Sequence, residues 1–161
     1  MRCCRRSPAP ELHCPAGRLR GSTLRTELGA RICSYRGIPY ARPPLGSRRF
    51  RRSEPLPEPA WTGTLDCAKE ARKSYQPNVL FPDSCLREGG EDCLYLNVYT
   101  RHHPSQESAP SPVPVLVFLH GGAFLVGSCE AVVYGPQVLL DRDLVLVGVN
   151  YRYSPVGKCS E

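Results

Sequence analysis

The residues of this chain best suited to chemistry are His120-Gly121-Gly122-Ala123-Phe124, directly after the apolar run Val115-Leu116-Val117-Phe118-Leu119. Glycines just after an inner strand let the backbone turn sharply and leave its N–H groups free. Free donors at the carboxyl end of a parallel sheet can bind an anion. Acyl transfer needs such fixed donors for the oxyanion of its tetrahedral intermediate, each worth about 2.7–4 kcal/mol of transition-state stabilisation. Two glycines alone also suit a plain tight turn, so the surrounding elements decide between the readings.

Those elements favour a sheet. Residues 113–119 and 144–149 are apolar at nearly every position. Continuous β-branched runs mark strands covered on both faces, in the middle of a helix-flanked sheet. Between them, residues 131–143, with Val132, Val133, Val138, Leu139 and Leu140, suit a short helix. Strand, glycine loop, helix and strand make a βαβ unit. Upstream, Leu94-Tyr95-Leu96-Asn97-Val98-Tyr99 has the apolar and aromatic character of a strand. Residues 17–40 alternate in short stretches split by Gly21 and Gly29, as in a small antiparallel hairpin or meander. Pro43, Pro44, Pro55, Pro57 and Pro59 bar residues 41–60 from helix or inner strand and leave an extended loop. Residues 65–90 read as loop with one helical turn, and 102–114 as a Pro/Ser-rich connection. Residues 1–16, basic and without periodicity, read as a disordered arm.

A chain of 161 residues has room for one domain with a sizeable core. No apolar run is long enough to span a bilayer. The net charge of +6 comes from an arginine-rich front half, including Arg42, Arg48, Arg49, Arg51 and Arg52. Such a surface attracts nucleic acid or anionic lipid, but no nucleic-acid-binding module accompanies it, so no nucleic-acid partner is expected. The 9 cysteines are odd in number, and no pair has the C-x-x-C spacing of a zinc or redox site. The opening residues lack the apolar stretch of a secretory signal. The chain as written is therefore expected in the cytosol, or secreted if its true start lies upstream.

Four stretches, in order, resemble the type B carboxylesterase/cholinesterase family. They are Gly37-Ile38-Pro39-Tyr40-Ala41-Arg42-Pro43-Pro44-Leu45-Gly46 with Arg49-Phe50, then Trp61-Thr62-Gly63, then Glu91-Asp92-Cys93-Leu94-Tyr95-Leu96-Asn97-Val98. The last is His120-Gly121-Gly122-Ala123-Phe124, followed by Tyr134-Gly135-Pro136 and Val149-Asn150-Tyr151-Arg152. The blend is most similar to arthropod detoxification-type esterases. The resemblance implies the N-terminal part of an α/β-hydrolase fold. A small hairpin or meander would precede central sheet strands with their βαβ unit. It divides the chain into a disordered basic arm at 1–16, a partial carboxylesterase domain at 17–157 and a divergent tail at 158–161. It implies a carboxylic-ester hydrolase acting on a small-molecule ester, with no metal or cofactor. Gly122 and Ala123 align with two oxyanion donors, with Gly121 enabling the turn, and His120 with a packed loop position rather than the catalytic base. Arg49 and Glu91 resemble a buried ion pair tying the early loop to the sheet; removing one partner of such a pair costs about 3–5 kcal/mol. Arg152 resembles an arginine whose acidic partner lies further along in the family. The usual upstream partner of Cys93 is replaced by Ser74, so Cys93 pairs with Cys85 or Cys67 or stays free; a free thiol fits a reducing compartment.

The family's nucleophile sits in a Gly-x-Ser-x-Gly elbow. No glycine here begins that pattern: Ser128 follows Gly127 directly and Ser154 precedes Pro155. Elbow, acid and histidine all lie beyond Glu161 in the family, and Lys158-Cys159-Ser160-Glu161 departs from its pattern. The expectation is a truncated isoform, gene fragment or incomplete gene model that carries no catalytic residue and is inactive alone. With its sheet cut near the middle, a long apolar edge would lie open and favour aggregation. The alternative is a non-catalytic adhesion or interaction relative, against which the intact oxyanion loop speaks.

Overall fold

The computed structural model describes residues 9–78, 87–103 and 112–153. Residues 1–8 of the arm, the tail 158–161, Cys85 and Ser154 lie outside the described residues. The strands in chain order are β1 (Glu11–Cys14), β2 (Gly17–Arg20), β3 (Ser22–Arg25), β4 (Arg31–Pro39), β5 (Thr64–Asp66), β6 (Gln76–Pro77), β7 (Arg87–Glu88), β8 (Tyr95–Thr100), β9 (Val115–Leu119) and β10 (Val145–Val149). One α-helical turn, α1 (Ala131–Tyr134), and two 3-10 turns, Gly46–Arg48 and Leu139–Asp141, accompany them.

The main sheet has the order β3-β4-β8-β10-β9. Its β3-β4, β4-β8 and β8-β10 pairs are antiparallel, while β10 and β9 run parallel, with Val147 opposite Val117. The parallel pair and the segment joining it are the βαβ unit expected from the sequence. A smaller sheet, β1-β2-β5, is joined to the main one through a core of Leu19, Cys33, Tyr35 and Cys67. Trp61 packs on the start of β2: its indole N–H donates to the Arg18 carbonyl at 2.8 Å, and a Cβ on Gly17 would lie 2.4 Å from the ring nitrogen. A second core beneath the main sheet gathers Ile32, Tyr99, Leu140 and Leu146.

Four expectations need correction. The arm is ordered from Glu11 on, because the alternation Glu11-Leu12-His13-Cys14 pairs with β2 and turns Leu12 and Cys14 toward the small sheet's core. Residues 65–90, read as loop, contribute to the short strands β5 to β7, while 79–86 lie outside the described residues. The helix expected over 131–143 stops after one turn, since Gly135-Pro136 interrupts it and Pro136 lacks the N–H a helix requires. Most consequential, β9 is not an inner strand. It is the edge of the sheet, with Val117 57% and Leu119 64% exposed, whereas Leu146 of β10 is 3% exposed. Continuous apolar character reported a strand built to be covered; strand order leaves it open on one side here. The open apolar edge expected from the sequence is therefore present, and it is β9.

Candidate functional site

The glycine loop starts where β9 ends. Residues 122–126 form a turn, not a helix. Leu125 and Val126 donate to the Gly122 carbonyl at 2.9 and 3.2 Å and close it. Gly122 has φ of +121°, and a Cβ there would lie 1.9 Å from the Val126 oxygen, so only glycine fits. Ala123 and Phe124 follow with φ of 53° and 59°, left-handed values that cost a non-glycine residue about 1–2 kcal/mol each. Backbone strain of this kind clusters at functional sites. Among the described residues, no acceptor bonds the N–H of Gly122 or Ala123. The two amides at the tip of a parallel strand are thus held in a strained turn without a partner.

Both feet of this loop are fixed from outside it. At the entry, the Tyr151 hydroxyl donates to the His120 carbonyl at 2.5 Å. At the exit, Gln76 grips Gly127 twice: the Gly127 N–H donates to Gln76 Oε1 at 2.6 Å, and Gln76 Nε2 donates to the Gly127 carbonyl at 3.2 Å. The Tyr153 hydroxyl donates to the same carbonyl. Two residues on, the Cys129 N–H donates to Asn150 Oδ1 at 2.8 Å, and Asn97 Nδ2 donates to the Cys129 carbonyl at 3.2 Å. Asn150, Tyr151 and Tyr153 all follow β10, so the parallel neighbour of β9 supplies most of the clamp. The feet also touch: a Cβ on Gly127 would lie 2.4 Å from His120 Nδ1.

His120 is buried, stacked on Tyr151 at 4.5 Å with the edge of Tyr153 at 5.5 Å. Its Nδ1 lies 2.8 Å from the Gly121 carbonyl and so carries the proton, since a carbonyl only accepts. This is a packed residue that stiffens the loop. Burial pushes the Tyr153 hydroxyl pKa well up, which keeps it a donor. Among the described residues, no group of three or more His, Cys, Asp or Glu side chains is placed to hold a metal ion.

The structural residues fall differently from expectation. Arg49 and Glu91 do pair, at 2.6 Å, but their side chains are 47% and 27% exposed. The pair is solvent-screened, so the cost of a buried ion pair does not apply and about 0–1 kcal/mol is the right scale. Arg49 also lies over the Phe50 ring, 4.9 Å from its centroid. Arg152 is partly exposed and, without an acidic partner among the described residues, donates to the Arg51 carbonyl at 2.8 Å and to Ser53 Oγ at 3.2 Å. Cys93 is free, as is Cys67. Burial raises the Cys93 thiol pKa, while a hydrogen bond from the Ser74 side chain lowers it in part. Ser74 thus stands against Cys93, where a disulfide partner would sit. The linear sequence did not reveal Gln76 as part of the site, because nothing in its neighbourhood marks it. Asn150 and Tyr151 belong to a motif already noted, but their grip on the loop depends on β10 lying next to β9.

The model of the family described as "Carboxylesterase family" matches residues 8–161. A juvenile hormone esterase of Tribolium castaneum is 38% identical over 92% of this chain and 24% of its own length. Esterase E4 of Myzus persicae is 37% identical over 98% of this chain and 28% of its own. The chain therefore spans about a quarter of the length of the curated relatives it matches. Among solved structures, the juvenile hormone esterase of Manduca sexta, with OTFP covalently attached, superimposes with a TM-score of 0.77 at 32% identity, covering 92% of this chain and 27% of that one. A carboxylesterase of Geobacillus stearothermophilus gives 0.71 at 33% identity over the same shares. The sheet described above is the N-terminal portion of an α/β-hydrolase fold. With a family model running through nearly every residue and relatives matched along almost the whole length, this chain belongs to the carboxylesterase family.

Proposed function

We propose that this chain is the oxyanion-binding part of a serine carboxylic-ester hydrolase and does not turn over esters alone. In the complete reaction a serine attacks a small-molecule ester. The Gly122 and Ala123 N–H groups hold the resulting oxyanion, a third donor comes from the residue after the serine, and the alcohol leaves. No metal or cofactor takes part. The observation that carries this reading is the pair of amides, Gly122 and Ala123, without an acceptor among the described residues, in a strained loop clamped at both feet. Fixed donors of this kind pay their reorganisation cost during folding rather than during reaction. Without a Gly-x-Ser-x-Gly elbow in the sequence, an acyl-enzyme has no nucleophile to form on.

The test is a fluorophosphonate serine-hydrolase probe together with a chromogenic short-chain ester. The 161-residue chain is expected to show neither serine labelling nor hydrolysis above background. Stoichiometric labelling of one serine would overturn the reading.

A further inference from the structure

The arginine-rich early segment plays no part in the oxyanion loop, yet it is built as a defined surface element. Its feet are pinned by the Arg42 N–H donating to the Glu54 carbonyl at 2.9 Å and by the Ala41–Pro55 bridge. Between them runs a compact Ω-type loop, held by the 3-10 turn Gly46–Arg48 and braced from below by Arg152. Leu45 and Phe50 stand out from it, each 43% exposed. Five arginines surround them against one glutamate within the loop. Arg42 and Arg48 share Glu54, and Arg49 pairs with Glu91. Arg51 and Arg52 are exposed, with no acidic partner among the described residues.

We propose that this loop docks the protein on anionic phospholipid membranes, with Leu45 and Phe50 entering the interface while Arg51 and Arg52 meet lipid phosphates and carboxylates. The charge complementarity is direct, and each arginine near an anionic bilayer adds to the attraction. The exposed apolar pair selects a bilayer over a nucleic-acid backbone, because phosphates of a polymer offer nothing to Leu45. Base stacking is also disfavoured, since the Arg49 guanidinium already covers one face of Phe50. Docking of this kind is peripheral and requires no membrane-spanning helix.

Cosedimentation with vesicles of phosphatidylcholine, alone or with phosphatidylserine added, tests this on the full chain. Binding is expected only with phosphatidylserine and is expected to vanish at high salt. The Arg51→Glu/Arg52→Glu double variant should bind roughly thirtyfold more weakly or worse. Should it fold poorly by circular dichroism, Arg51→Gln/Arg52→Gln should give an intermediate loss. Leu45→Ser/Phe50→Ser should weaken binding while keeping its salt dependence. Val117→Ser, on the open edge of the main sheet, should leave binding unchanged. Equal binding to phosphatidylcholine alone would overturn the proposal. So would loss on Val117→Ser with none on arginine reversal, or salt-sensitive binding to duplex DNA in a protein that ignores the vesicles.

Discussion

The strands β9 and β10 are parallel neighbours with nearly the same composition, Val-Leu-Val-Phe-Leu beside Val-Leu-Val-Gly-Val, yet they do opposite things. β10 is buried between two strands, and the residues after it grip the glycine loop. β9 lies open at the edge, and the loop it leads into carries the two amides that have no acceptor among the described residues. Rigidity and availability are thus divided between adjacent strands: one supplies the fixed frame, the other presents backbone donors that the frame leaves unpaired. A loop clamped only by its own strand would share the looseness of an edge; here the frame is borrowed from the strand behind it.

The largest effect should come from cutting into the frame. Leu146→Ala removes a nearly fully buried side chain and is expected to cost about 2–5 kcal/mol by urea denaturation. Val117→Ala, on the exposed strand, should cost less than about 0.5 kcal/mol. Equal losses at the two positions would mean that β9 is covered in solution, and sedimentation velocity would then show self-association. If the open edge does pair between copies, Val117→Lys should restore the monomer, since an inserted charge blunts edge pairing.

The next effect separates two adjacent glycines. Gly122→Ala places a methyl against the Val126 carbonyl and forces an unfavourable φ, so a loss of about 1–3 kcal/mol or a rearranged turn is expected. At Gly121 a Cβ meets no atom within 4 Å, and Gly121→Ala should be nearly silent. Amide exchange across residues 120–127 reads both. A silent Gly122→Ala would remove the case for a strained cradle.

How much of this was legible beforehand follows from what each signal measures. The four family stretches located the end of β4, β8, the glycine loop and the residues after β10, because they are local patterns of consecutive residues. Apolar runs marked β9 and β10 as strands but could not rank them, since exposure depends on strand order and not on composition. Residues 131–143 have helical apolar spacing, but Gly135-Pro136 outweighs it. The Arg49–Glu91 pair was implied by the family resemblance as a buried one; its exposure was not legible, because burial depends on what packs around the early loop. Gln76 was invisible for the same reason: its double hydrogen bond to Gly127 joins segments distant in sequence.

That double bond gives a smaller, sharper test of the frame. Gln76→Ala leaves the Gly127 N–H without its acceptor, at a cost of about 1–3 kcal/mol if the group stays buried. Tyr153→Phe removes only one of two donors to the Gly127 carbonyl and should cost about 0.5–1.5 kcal/mol. Both should speed amide exchange in residues 120–127 before they lower global stability. Unchanged exchange in both variants would show that the loop holds itself, without help from β6 or the residues after β10.

The faintest signature is alkaline, and it comes from buried thiols away from β9. Cys129 packs over Gly148 of β10, where a Cβ would lie 3.0 Å from its own, and burial pushes its thiol pKa up to about 12, with nearby Glu70 adding to the shift. Cys67 rises likewise to about 11, chiefly through burial. An unfolded thiol titrates near its ordinary value of 9.0, so between pH 9 and these values the unfolded chain has released protons that the folded chain still holds. Stability must then fall as pH rises through that window and be unaffected below it. Urea midpoints should coincide at pH 7 and pH 8 and decline by pH 10, with a shallower decline in Cys129→Ala. No residue of β9 titrates, so Val117→Ala should leave the slope unchanged. An equal slope in wild type and Cys129→Ala would mean that water reaches the thiol, and that the frame behind the glycine loop is less closed than its packing implies.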